Sequence, residues 1–142
     1  MGFVHLLKLC VGAESVADLA EWQEQNAARW PAGTSVHVTR MWPKREAELL
    51  AGGSLYWVIK GVILCRQRLL GLEEVTGADG ITRCAIVMDR EIIRTDAAPR
   101  RPFQGWRYLS PDEAPRDLPQ ARGAEETLPP ALARALAEIG LR

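Results

Sequence analysis

The stretch SLYWVIKGVILCRQRLLGLEEVTGADGITRCAIVMD, residues 54–89, decides the fold. Its first part, 54–75, is dense in β-branched and aromatic residues but too long for one flat strand. Gly61 and Gly71 are its natural break or bulge points. In TGADGI, Asp79-Gly80 supplies hairpin-turn chemistry, and ITRCAIVMD returns as the partner strand. EIIRT (91–95) and GWRYL (105–109) read as two further strands.

Upstream, FVHLLKLCV (3–11) is an apolar strand closed by Gly12. Ser15 and Asp18 resemble a capping box with Asp in place of Glu or Gln, so a helix follows to about Arg29. Trp30-Pro31-Ala32-Gly33 breaks it. Residues 35–41 alternate as a strand, with Val36, Val38 and Arg40 on one side and His37, Thr39 and Met41 on the other. Trp42 precedes Pro43 and is held extended. Pro43 suits the first position of a short helix through Leu50, which Gly52-Gly53 stops.

Consecutive hairpins after two strand–helix units predict an α+β fold. The expected architecture is a curled antiparallel or mixed sheet, or a small open barrel, with short helices at its ends. Residues 1–109 form the core domain. Residues 110–142 form a proline-rich wrap and a C-terminal helix of the same domain, with Leu132, Ala135, Leu136 and Ile139 as an apolar stripe.

Length and charge bound the function. The 142 residues suit one domain, and 47% hydrophobic content supports a real core. Net charge is zero, so the whole chain is no obvious nucleic-acid binder. The charge is uneven, however: residues 37–68 sum to +4 and 94–107 to +3. Cys10, Cys65 and Cys84 are odd in number and widely spaced, which argues against a disulfide framework and for a reducing cytoplasm. No apolar run reaches membrane-span length. The N-terminal run lacks the basic start of a signal peptide.

Familiar phosphate-binding, nucleophile-elbow and metalloprotease motifs are absent. The only histidines are His5 and His37, and His5 and Cys10 lie on opposite faces of one strand, so neither a metal nor another cofactor is expected. The first functional expectation is RNA or a nucleotide-like anion on a basic, aromatic-lined face. Arg40, Lys44, Arg45, Lys60, Arg66, Arg68, Arg101 and Arg107 would contact phosphate, and Trp42, Phe103 and Trp106 would stack on bases. Against it, the arginines could pair with Glu73, Glu74, Asp89 and Glu91, and Trp42 and Trp106 could be core lids. The second expectation is a small-molecule enzyme using His37 with Glu73 or Glu74 for proton transfer. The third is an interaction module whose C-terminal segment docks on a partner or a second copy, as in a homodimer.

HVTRMWPKR (37–45), GGSLYWVIKGVI (52–63), RQRLLGLEEVTGADGI (66–81) and PRRPFQGWRYL (99–109) carry a resemblance. In these segments the chain resembles an uncharacterised, mainly alphaproteobacterial family, a domain of unknown function. The likeness covers about residues 3–118. That family has no assigned catalytic residues to carry over. More distantly, the element order resembles the PUA-like superfamily, which implies RNA or modified nucleobases as ligands.

Overall fold

A computed structural model describes residues 2–101, 103 and 105–118. The strands are β1 (His5–Leu9), β2 (Thr34–Thr39), β3 (Ser54–Ile59), β4 (Val62–Thr76), β5 (Thr82–Asp89), β6 (Ile93–Pro99) and β7 (Trp106–Leu109), and the helices are α1 (Val16–Asn26) and α2 (Glu46–Leu50). They form a curled mixed sheet of seven strands in the order β2-β5-β4-β3-β1-β7, with β6 also paired to β4. The fold is α+β. The expected C-terminal helix and most of the proline-rich stretch lie outside the described residues.

Local chemistry explains the elements. Ser15 Oγ accepts from Asp18 N at 3.1 Å, while Asp18 Oδ2 accepts from Glu14 N at 3.0 Å. This is the expected capping box, with its return bond going to Glu14 N, one residue upstream of the cap. Gly61 is a chain reversal: Lys60 and Gly61 both have positive φ, 54° and 83°, the signature of a two-residue hairpin turn. Pro43 does not open a helix. It is buried, and α2 begins three residues later, after Arg45.

β4 slips register twice. Against β3, Trp57 pairs with Cys65 but Val58 with Ile63, and against β5, Leu69 pairs with Met88 but Gly71 with Val87. Leu64 and Leu70 are therefore the extra residues of two bulges. Side-chain parity inverts at each one. Simple alternation along the sequence puts Lys60, Arg66 and Arg68 on one face with Tyr56, Val58, Val62 and Leu64, and the turn and the slip break that pattern. The chain turns at Lys60 and slips at Leu64. Arg66 and Arg68 keep one face, opposite Tyr56 and Ser54.

The bulges let the sheet curl. β2 and β3 are separated by β5 and β4 in strand order, yet the His37 ring meets Trp57 edge-on at 5.4 Å. The concave face holds the main core, including Leu6, Leu55, Trp57, Ile86 and Met88, against Val16 and Leu19 of α1 and Leu49 of α2. A buried polar knot fastens α1. Gln23 and Gln67 exchange amide hydrogen bonds, Trp57 Nε1 donates to Gln67 Oε1 at 2.8 Å, and Gln67 Nε2 donates to the Asp89 carbonyl at 2.9 Å. On the outer face Leu7, Tyr56, Val58, Ile63 and Leu109 form a second core beneath Ala98, Phe103 and Ala114.

Candidate ligand-binding crevice

The cationic segments 37–45, 58–68 and 99–107 do touch. Trp106 Nε1 donates to the Met41 carbonyl at 3.0 Å, and the Tyr108 hydroxyl accepts from Lys44 N at 2.8 Å and Arg45 N at 3.1 Å. Arg100 N donates to the Gly61 carbonyl at 2.8 Å. Their side chains, however, diverge. Arg66, Tyr56, Leu7 and Arg107 form one row across four strands on the outer face, while Lys44 and Arg45 sit with Tyr108 on the other side of β7.

Several of these cations have occupants. Arg45 is bound by Glu48 at 2.7 Å and lies over the Tyr108 ring. Arg66 grips Asp117 with both nitrogens at 2.8 Å and donates to Ser54 Oγ at 2.7 Å. Lys60 is 3.8 Å from Glu14, and the Arg107 guanidinium covers the Phe103 ring. Arg40, Lys44, Arg68 and Arg101 are exposed. Of the expected stacking residues, Trp42 is 40% exposed, but Trp106 is 7% exposed and belongs to the core.

The enzyme pairing is not assembled. Glu73 sits opposite Ala85 on the outer face, while His37, opposite Ile86, points inward. Glu74 is exposed, two rows beyond His37, level with Thr39 and Cys84. His37 Nε2 is buried with no hydrogen-bond partner among the described residues.

His37 instead forms a wall of a crevice of about 270 Å³ between the C-terminal end of β1, the start of α1 and the curled-over β2. Leu9, Leu19, Trp22 and Trp57 supply apolar and aromatic surface, and Lys8, Cys10 and Asp18 supply polar groups. The local sequence builds it directly. Lys8 and Cys10 share the inward parity of β1, and Gly12, at φ 94°, turns the chain so that α1 starts over the strand end.

The electrostatics are specific. Lys8 is half-buried, and its ammonium makes no ion pair or hydrogen bond with a described residue. Burial lowers its pKa from the usual lysine value. Burial, with help from the Lys8 charge, pushes His37 down to about 4, so its imidazole is neutral at pH 7. Burial raises the Cys10 thiol to about 11, with Lys8 opposing and Asp18 adding to the shift. The crevice therefore presents one ammonium, one carboxylate, a neutral imidazole and a thiol among aromatic walls. No group of three potential metal ligands occurs among the described residues. No helix among them is long and apolar enough to cross a membrane.

Lys8, Cys10, Asp18 and Trp22 were not singled out as site residues from the sequence. The available signal was a lysine interrupting an apolar strand that ends in glycine just before a capped helix. No curated protein matches the chain, and no solved structure matches it. A family model does match residues 6–142, nearly the whole chain, and its description is "Protein of unknown function (DUF1489)". The chain, described tail and all that follows it included, belongs to the DUF1489 family.

Proposed function

We propose that this protein binds a small planar ligand bearing an anionic or strongly accepting oxygen in the crevice at the end of β1. The observation that carries the reading is Lys8: a half-buried ammonium with no counter-ion, set among Trp22, Trp57, Leu9 and Leu19. An unpaired charge held out of water is costly, and an incoming anion removes that cost. Aromatic and aliphatic walls with a few converging polar groups are the usual make-up of small-molecule sites. This carries the expected nucleotide-like anion from the dispersed outer cations into one cavity. The thiol form of Cys10 and the weakly basic His37 favour binding over nucleophilic or acid–base chemistry at neutral pH.

The test is titration, read by tryptophan fluorescence and calorimetry, with aromatic carboxylates, nucleoside monophosphates and short single-stranded RNA across a salt series. Lys8→Gln should weaken the best small ligand by about 10–100-fold, the worth of a charge-assisted hydrogen bond. Undiminished affinity in that variant defeats the reading. So does RNA binding with a steep salt slope that ignores Lys8, because the outer cations would then carry the function.

A further inference from the structure

Lys8 and Asp18 line the same crevice, yet no ion pair joins them. Each has a reason to stay in place without the other. Lys8 is fixed on a strand between Trp57 of β3 and Trp106 of β7 by register. Asp18 is held by its bond to Glu14 N through Oδ2 and by the helix start around Ser15. Its Oδ1 has no hydrogen bond to a described residue, so it remains an open acceptor. Cys10 lines the crevice with them and feels both charges, Lys8 lowering and Asp18 raising its pKa beneath the larger effect of burial. The crevice thus has a positive pole and a negative pole, and its gap is walled by apolar and aromatic side chains.

Lys8 is half-buried and Asp18 exposed, and a ligand that fills the crevice would shed water from both and strengthen their pull on it. A molecule that fits the gap must answer both poles, or leave one of them unpaired and partly dehydrated. A ligand with an acid alone satisfies Lys8 and is repelled by Asp18. A ligand with an amine alone does the reverse.

Resting on the proposed crevice function, we infer that the ligand is zwitterionic: a compact aromatic amino acid, its acid group on Lys8 and its ammonium on Asp18. The ring lies against Trp22, Trp57 and the edge of His37. The neutral imidazole adds no third charge to this balance. Exposed Trp22, paired with Trp30 at 5.7 Å, forms the outer lip.

Three compounds with one indole skeleton separate this inference from the function it rests on: tryptophan, indole-3-propionate (no amine) and tryptamine (no acid). Tryptophan is expected to bind about tenfold or more tightly than either single-charge analogue. Asp18→Asn keeps an acceptor for Glu14 N and removes the charge. It should abolish the advantage of tryptophan over indole-3-propionate without weakening the latter. Equal affinities for tryptophan and the acid, or an Asp18→Asn variant that still prefers tryptophan, overturn the zwitterion while leaving the anion site standing. Failure of all three compounds to bind overturns the zwitterion too, and the nucleotide and carboxylate titrations then decide the crevice itself.

Discussion

Gln23 of α1 and Gln67 of β4, 44 positions apart, face each other in the core and exchange hydrogen bonds in both directions, at 2.8 and 3.0 Å. Every polar atom of Gln67 is used, since it also accepts from Trp57 and donates to the Asp89 carbonyl. Such a filled knot ranks α1 against the sheet in one position only, because any slide breaks several bonds at once.

Gln67→Leu should therefore cost about 3 kcal/mol, since it strands the Trp57 indole N–H, the Gln23 amide and a main-chain carbonyl together. Urea titration followed by fluorescence would show the midpoint fall. A loss below about 1 kcal/mol would mean that the knot relaxes onto other partners.

Gly53→Ala should be among the most damaging small changes. A methyl there would overlap the Val4 carbonyl and lie 2.7 Å from the Leu49 carbonyl. Both are main-chain atoms and cannot swing aside. The glycine also joins α2 to β3 through Gly53 N to the Leu49 carbonyl and Leu69 N to the Gly53 carbonyl. A destabilisation of at least about 3 kcal/mol, or failure to fold, is expected. A thermal midpoint equal to wild type would contradict the close approach.

Stability should fall as the pH drops below neutral. His5 and His37 are both held near pKa 4, mainly by burial, against an ordinary value of 6.5. The unfolded chain therefore takes up these protons first. Their contribution is complete above about pH 6.5 and drains away between there and about 4, at up to about 1.4 kcal/mol per pH unit for each histidine. His5 makes a specific neutral contact, its Nδ1 accepting from Ser54 N at 2.9 Å. Urea midpoints at pH 7.5 and 5.0 check this, and His37→Gln should reduce the difference by about half, His5 supplying the rest. Identical midpoints at the two pH values would count against it.

Lys8→Met should raise stability by about 1 kcal/mol, because it removes a half-buried, unpaired ammonium and keeps the aliphatic stem. The same variant should lose the ligand. A gain in thermal midpoint coupled to lost binding is the mark of a side chain kept for function. A destabilised Lys8→Met would instead give the ammonium a structural role.

Lys60→Asn should stabilise by about 0.5 kcal/mol, since asparagine tolerates the left-handed backbone that lysine adopts there at φ 54°. The exposed contact with Glu14 at 3.8 Å adds little to offset the change. A lower denaturation midpoint would show that this pair matters more than exposure suggests.

The strands, both helices and the capping residues were legible because each rests on neighbouring residues: Ser15 with Asp18, Gly52-Gly53, Asp79-Gly80. Pro43 misled because the local preference for a helix start lost to its burial three residues upstream of α2. Gly71 drew attention to the right place, but the extra residue is Leu70, and nothing in the composition marked Leu64. The site was the least legible part. The conspicuous cations are split because Arg66, Arg68 and Arg107 face outward while Lys44 and Arg45 sit on the other side of β7, whereas the crevice gathers residues from β1, α1, β2 and β3. Only the curl of the sheet brings His37 to Trp57, and no local pattern encodes it.

The two bulges in β4 also bear on how distant relatives should be matched. A relative that lacks the extra residue at Leu64 or Leu70 keeps the same three-dimensional strand but is one residue shorter there. Aligned without a gap, its inward positions would be set against outward ones for the rest of the strand, and true similarity would register as noise. Single-residue gaps allowed at those two positions would realign the two faces.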